Sequence, residues 1–204
     1  MASTASPYGF VPVRKADGTP YAGARDAFLI TPAGVAQNIG YGSIVELNAG
    51  YVQLASGTGA DATTNNLGGS SIGALGVFVG CEYINAEGQL IFAQYYPSGT
   101  ANATAYVVTD PGVTFQVQAD GAIAQTALGH NAPLTGAQNA TTSVNTSTGK
   151  SNVALDATTA TATKAFKVIG FVTKPGSAIG DAKTDVLVKF NLPYHQFGTG
   201  IVGE

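Results

Sequence analysis

Ten short runs of β-forming residues, each ended by turn residues, constrain the fold of this 204-residue chain more than any other feature. In the run Val113–Ala119, apolar residues alternate with Thr114, Gln116 and Gln118. A period of two is typical of a strand with one apolar and one polar face. The ten runs are Tyr8–Arg14, Asp26–Thr31, Ser43–Asn48, Tyr51–Ala55, Ala74–Ile84, Gln89–Tyr96, Thr104–Thr109, Val113–Ala119, Ala165–Thr173 and Asp185–Asn191. Short strands at this spacing predict an all-β, mainly antiparallel fold, either a β-barrel or a β-sandwich.

Turn and helix signals complete this prediction. The sequences NAG after Leu47 and NAEG after Ile84 predict hairpin turns. The best helix signal is DGAIAQTALG, in which Asp120 is placed to cap the first turn and Gly129 is placed to end the helix. This segment is long enough for two turns, so we expect at most one or two short helices.

Two long segments, residues 56–71 and 135–152, consist mainly of small polar residues, and DATTATATK extends the second segment as far as Lys164. They contain too few apolar residues to order themselves, so we expect long polar surface loops that are ordered by contacts outside the chain, with mobile loops as the alternative. No linker is evident. The interpretation is one domain over residues 1–204, with two sub-barrels left open, and with terminal arms at 1–12 and 192–204 that reach a neighbour or fold back.

Charged residues make up only 10% of the chain, against roughly 25% in an ordinary soluble domain, and the net charge is −3. Thr, Ala, Asn, Ser and Gln take the place of charge. A surface of this composition repels a neighbour weakly and loses little solvation free energy when it is covered. We therefore expect much of the surface to be buried in an assembly, with a neutral soluble protein as the alternative.

Several classes of partner are not expected. The nine basic residues form no run with interleaved aromatic residues, which argues against a nucleic-acid partner. Apolar runs such as IGALGVFVGC are about half as long as a membrane span, so we expect no membrane partner. The start MASTASPYGF lacks the charged and apolar regions of a secretory signal, which predicts synthesis in a cytoplasm without signal-dependent export.

The chain offers few groups for chemistry. Gly69–Gly73 matches G-x-S-x-G, but a polar loop precedes it and a strand-like run follows, so a loop is favoured over a nucleophile. Cys81 lies in an apolar run, where a thiol is normally inert; a thiol–imidazole pair with His130 or His195 stays open, because such pairs are assembled in space. No histidines or carboxylates have metal-ligand spacing. We expect no metal, no cofactor and no enzyme activity.

Aromatic residues are the best candidates for contact with a partner. Tyrosine is favoured at interfaces because it buries a large area and is ordered by two torsions. In a β-rich chain without tryptophan, we expect most aromatic residues in the core, fewer at a subunit interface and fewest at a ligand site. The interface candidates are Tyr8, Phe10, Tyr95, Tyr96, Tyr194, His195 and Phe197.

The order of several motifs resembles a family of virion structural proteins from tailed bacteriophages. These motifs are PYGFVPVRKADGTPYAG, GVFVGCEYINAEGQLIFAQYYPSGT, AYVVTDPGVTFQVQADG, LGHNA, STGKSNVALD and DVLVKFNLPYHQFGTG. The resemblance runs from about Pro7 to Gly200 and is greatest to the head decoration, or cement, proteins of marine and cyanobacterial podoviruses. It implies a β-rich subunit without enzyme activity.

The resemblance also implies a place in the virion. A decoration protein binds the major capsid protein on the outer surface of the assembled shell, often at threefold positions, so a homotrimer is expected. Binding only the assembled shell would stabilise it by mass action. The alternative is a tail or fibre component that binds a host surface, which the tyrosine content and the Thr/Asn-rich loops favour.

Overall fold

The computed structural model describes residues 4–60, 67, 73–136, 138, 143–175 and 177–197. Within these residues the chain forms thirteen strands and two short 3₁₀ helices. The strands are β1 (Val11–Arg14), β2 (Asp26–Leu29), β3 (Ile44–Asn48), β4 (Tyr51–Leu54), β5 (Gly76–Ile84), β6 (Leu90–Ala93), β7 (Thr104–Val108), β8 (Thr114–Gln118), β9 (Asn131–Ala132), β10 (Val144–Asn145), β11 (Lys150–Ser151), β12 (Phe166–Phe171) and β13 (Asp185–Phe190). The 3₁₀ helices are Gln125–Ala127 and Leu192–Tyr194. Each of the ten predicted runs contains a strand.

The strands form two large antiparallel sheets. One has the order β1-β8-β13-β12-β9, and the other has the order β2-β7-β5-β3-β4, with β6 paired to β5. A single apolar cluster joins Phe115 and Val186 of the first sheet to Ile44 and Val77 of the second, so the sheets pack as a sandwich. The all-β, mainly antiparallel prediction is confirmed in its sandwich form.

The six-stranded sheet is curled around a second apolar cluster. Strands β3, β4, β5 and β7 all contribute buried side chains to it, among them Val45 and Phe78. The two edge strands of the sheet, β2 and β4, come together where Ile30 forms an isolated bridge with Val52. One bridge does not make the continuous strand pairing of a closed barrel. Residues on opposite faces of β5, such as Val77 and Phe78, therefore belong to two different clusters.

Local sequence explains both predicted hairpins. Between β3 and β4, Ala49 and Gly50 have φ angles of 49° and 76°, the positive pair that tight two-residue hairpin turns require. Between β5 and β6, the Asn85 side chain accepts hydrogen bonds from the backbone N–H groups of Glu87 and Gln89. Both predicted turns are confirmed.

The predicted helix beginning at Asp120 is wrong. Only the three-residue 3₁₀ helix Gln125–Ala127 forms there, and its N-cap residue makes no side-chain capping bond. The Asp120 carboxylate instead accepts a hydrogen bond from the backbone N–H of Ala157 at 2.8 Å. The preceding residue, Ala119, forms a bridge with Leu155, so tertiary pairing continues where the helix was expected to begin.

The described part of the second polar segment contains buried apolar residues. The short hairpin of β10 and β11 lies against Tyr41, which bridges Lys150. Val144, Val153 and Leu155 are buried, so the expectation that this segment needs contacts outside the chain is wrong for residues 143–164. Residues 61–66, 68–71, 137 and 139–142 of the predicted loops lie outside the described residues.

In the part of the chain that the structure describes, no helix is long and apolar enough to cross a lipid bilayer.

Candidate interaction surface

Four of the seven predicted interface residues are buried within their own chain. Phe10, Tyr96, Tyr194 and His195 are 0% exposed, so their side chains present no surface to a partner, and the interface prediction is corrected for them. The physical reason is the area that a large ring removes from water in the core. Phe10 packs 4.7 Å from Phe166, centroid to centroid.

The other three candidates differ in exposure. Tyr8 is half-buried; its hydroxyl donates to Asp185 at 3.0 Å and accepts from Gln116 at 2.8 Å. Burial is the main cause that raises the pKa of Tyr8 far above its ordinary value. Tyr95 is also half-buried. Phe197 is 59% exposed, so of the seven it is the most accessible to a partner.

The N-terminal segment covers the polar face of β8. Gln118 accepts a hydrogen bond from the backbone N–H of Ser6 at 2.9 Å and donates to the carbonyl of Thr4 at 3.3 Å. Gln118 is only 8% exposed and Thr114 is fully buried. The described part of the predicted N-terminal arm is therefore folded onto its own chain, and residues 1–3 lie outside the described residues.

The C-terminal segment is tied to β3 in the same way. The side-chain amide of Gln196 accepts from the backbone N–H of Leu47 at 3.0 Å and donates to its carbonyl at 3.4 Å. Gln138 makes the equivalent pair of bonds to Ile44, at 2.7 and 3.0 Å. The two glutamine side chains therefore bond backbone groups of β3 in the way that a neighbouring strand would. The predicted C-terminal arm thus folds back through residue 197, and residues 198–204 lie outside the described residues.

The candidate reactive groups have separate, structural partners. The Cys81 thiol contacts the carbonyl of Tyr95 at 3.5 Å, and burial raises its pKa to about 12. His195 accepts from the backbone N–H of Phe197 at 3.2 Å, and burial lowers its pKa to about 4. His130 lies 3.5 Å from the hydroxyl of Thr159.

Most of the G-x-S-x-G motif, residues 69–72, lies outside the described residues. Among the residues that the structure does describe, no three His, Cys, Asp or Glu side chains form a group that could hold a metal ion.

Exposed apolar side chains share the outer face of the six-stranded sheet. Strand register aligns Leu29 of β2 with Thr104 of β7, then with Glu82 of β5 and finally with Phe92 of β6. Residues directly opposite each other in a ladder point to the same face. The next pair on this face is Ile84 with Leu90. We call Leu29, Ile84, Leu90 and Phe92 the outer patch; they are 57–68% exposed.

A polar group lies within the outer patch. The hydroxyl of Tyr106 donates to the carboxylate of Glu82 at 2.7 Å, and this bond raises the pKa of Tyr106. The guanidinium of Arg25 lies 4.0 Å from the Tyr106 ring centroid. The charge of Glu82 therefore has a hydrogen-bonding partner, and the apolar side chains around it face solvent.

The sequence of β6 contains a signal for the outer patch. In β6 the residues Leu90, Ile91, Phe92 and Ala93 are apolar without alternation. A strand with both faces apolar is normally buried on both faces. At the edge of a sheet, the same sequence leaves one apolar face uncovered.

Two shallow hollows flank this sheet. One, of about 340 Å³, lies at the β3–β4 turn and includes Asn48, Tyr51 and Gln53 in its lining. The other, of about 400 Å³, lies beside the β5–β6 turn and includes Tyr83, Asn85 and Pro97.

No family model, curated protein or solved structure matches the chain.

Proposed function

We propose that this chain is a structural virion protein that binds the outer surface of an assembled phage capsid and stabilises it. The observation that carries the proposal is the outer patch, in which four large apolar side chains are more than half exposed on one sheet face. Isolated exposed apolar residues are ordinary, but a group on one face is typical of a docking site. The low charge of the chain agrees with a broad uncharged contact.

The size of the outer patch favours a partner that presents many copies of its site. Taking roughly 180–200 Å² for a fully exposed residue of this size, the four residues expose on the order of 450 Å². A stable pairwise interface needs about 800 Å² from each partner. Binding through such a patch is weak for one copy and strong for linked copies, which suits a lattice of capsid subunits.

The proposed partners are the major capsid protein and further copies of this chain. A homotrimer at threefold positions stays a prediction from the resemblance. In this arrangement the protein binds the assembled lattice and not the free capsid subunit, so binding shifts the equilibrium towards the intact shell. No reactive group takes part in such a role.

The test uses heads purified without the protein and then incubated with it. Leu29→Lys combined with Ile84→Lys places two charges in the outer patch, and we expect binding to heads to weaken at least tenfold. Leu128→Lys combined with Ile179→Lys is the matched control, because these residues are also exposed but lie outside the patch. Covered heads should survive heating or low salt longer than bare heads.

Two results would count against this function. One is that the outer-patch variant binds heads as tightly as the unchanged protein. The other is that bare and covered heads break at the same temperature. Cosedimentation measures the first, and release of packaged DNA on heating measures the second.

A tail or fibre component that binds a host surface is the second candidate. The hollow at the β3–β4 turn favours it, because its lining combines the aromatic residue Tyr51 with the polar residues Asn48 and Gln53. Small-molecule sites are typically lined by apolar and aromatic side chains with a few polar groups. Cryo-microscopy of intact virions separates the two candidates by locating the chain on the shell or on the tail.

A further inference from the structure

Strand β6 has an edge to which no described residue binds. In the β5–β6 hairpin, the backbone N–H of Asn85 donates to the carbonyl of Gln89. Hydrogen-bonded pairs then recur at every second residue of an antiparallel ladder. The N–H and C=O groups of Leu90 and Phe92 consequently point away from β5, and none of them forms a hydrogen bond to another described residue.

The other edges of the two large sheets are protected. Strand β1 contains Pro12, and its residue Val13 accepts a hydrogen bond from the backbone N–H of Tyr21. Strand β9 has only two residues and is bridged through Asn131 by a following loop. Strands β2 and β4 are joined by the bridge at Ile30. Folded proteins commonly block their edges in these ways.

We propose that β6 pairs with β6 of a second copy of this chain across a twofold axis. The axis passes between Ile91 and its symmetry mate, so Leu90 faces the partner's Phe92 and Phe92 faces the partner's Leu90. Both pairs are of the hydrogen-bonded type, which gives four backbone hydrogen bonds between the copies.

The side chains of the edge suit self-pairing in this register. In each facing pair, a leucine meets a phenylalanine on the outer face, and such apolar pairs stabilise antiparallel strands. The stretch Gln89–Gln94 carries no charge, so no like charges oppose each other across the axis. The nearest charged residues in sequence are Glu87, in the turn, and Glu82, on β5.

This pairing gives the two copies one continuous face. Leu90 and Phe92 lie on both the edge and the outer patch, so pairing places the two patches side by side. The area buried between two such short strands is smaller than the area that a stable dimer buries. We therefore expect a weak dimer in solution. On a lattice, the same contact would join neighbouring subunits, including neighbouring trimers, across twofold positions.

The pairing deepens the proposed function by naming a lateral partner, but its test uses purified protein alone and can fail separately. Sedimentation equilibrium from about 10 µM to 1 mM should show a monomer–dimer equilibrium, since weak interfaces of this kind dissociate in the micromolar range or above. Phe92→Lys should raise the dissociation constant of the dimer at least tenfold. Leu128→Lys, at another exposed apolar residue, should leave it unchanged.

Cysteine cross-linking tests the register. A mixture of Leu90→Cys and Phe92→Cys proteins, with differently tagged chains and Cys81→Ala in both, should form disulfides between the two variants. The facing pair lies about 5.5 Å apart between Cα atoms, within disulfide range, whereas each cysteine is farther from its own symmetry mate. Each single variant alone should therefore cross-link much less.

The result that overturns the proposal is specific. A chain that stays monomeric over this range, or that associates equally well with Phe92→Lys, does not pair through β6. Equal cross-linking of the mixture and of each single variant would overturn the register. Far-UV circular dichroism and the thermal midpoint should not change in Phe92→Lys, because that side chain is 68% exposed.

Discussion

Strands β8 and β6 are both short and rich in β-forming residues, yet their surroundings are opposite. In β8, Thr114 is fully buried and Gln118 is 8% exposed, although both are polar. In β6, Leu90 and Phe92 are 57% and 68% exposed, although both are apolar. Strand β8 lies between β1 and β13, and the N-terminal segment covers its polar face. Strand β6 has one neighbour and an uncovered face.

In this protein, the pattern of polar and apolar side chains therefore identifies a strand. It does not show which faces of the strand are covered by other parts of the chain. The amide of Gln118 in β8 is buried, and Ser6 and Thr4 supply its hydrogen bonds. Leu90 and Phe92 of β6 are exposed because no described part of the chain lies over them. The first arrangement is internal structure, and the second is an exposed apolar surface, which we propose binds another molecule.

The largest expected contrast comes from removing one phenylalanine from each strand. Phe115 is buried between Phe10 and Phe190, at centroid distances of 6.4 and 5.7 Å. Phe115→Ala should lower the free energy of unfolding by about 3–5 kcal/mol, because it leaves a cavity. Phe92→Ala should change it by no more than about 0.5 kcal/mol. Urea denaturation measures both; equal losses would show that Phe92 is covered in the monomer.

The next effect concerns pH and a buried imidazole. Burial lowers the pKa of His195 to about 4, although Asp110 and the backbone of Thr109 favour the protonated form. As pH falls below about 6.5, the unfolded chain takes up the proton first. The contribution of the neutral His195 to the free energy of unfolding is therefore fully present above pH 6.5. This free energy decreases by up to about 3 kcal/mol between pH 6.5 and 4.

The control for this pH effect keeps the hydrogen bond and removes the titration. The side-chain oxygen of Asn in His195→Asn can accept from the backbone N–H of Phe197 in place of the imidazole nitrogen. Urea titrations at several pH values should show a smaller loss of stability for this variant than for the unchanged chain. Identical slopes for the variant and the unchanged chain would contradict the assignment to His195.

The smallest expected effect on stability comes from the N-terminal segment that covers the polar face of β8. Gln118→Ala removes the bonds to Ser6 and Thr4 and should cost about 1–2 kcal/mol. Hydrogen exchange at the backbone N–H of Ser6 should accelerate in this variant. The exposed Gln94→Ala is the control and should change neither quantity. Unchanged exchange at Ser6 in the Gln118 variant would mean that other contacts hold the N-terminal segment.

Much of the fold could be predicted from local sequence. The alternation in β8 and the turn residues at Ala49–Gly50 act over a few residues, so one sequence is enough to identify them. The helix at Asp120 could not be judged in this way, because the bond to Ala157 comes from a segment 37 residues away. Tertiary pairing overrode a local capping signal there.

The candidate surface was harder to predict than the fold. Aromatic identity suggested Phe10, Tyr96 and Tyr194 as contact residues, but the same rings fill the core. The sequence does not identify Phe92 as exposed, because its run is typical of a doubly buried strand and only the strand order shows that β6 is an edge. Exposure depends on which segments lie over a strand, and that information is not local.

The bonds between Gln196 and Leu47 join positions 149 residues apart in the chain. A side chain synthesised 149 residues later is thus needed to satisfy backbone groups of β3. We expect the newly made protein to stay incompletely folded until Gln196 has been synthesised, and to form this contact slowly, since distant contacts carry a large entropic cost before they form.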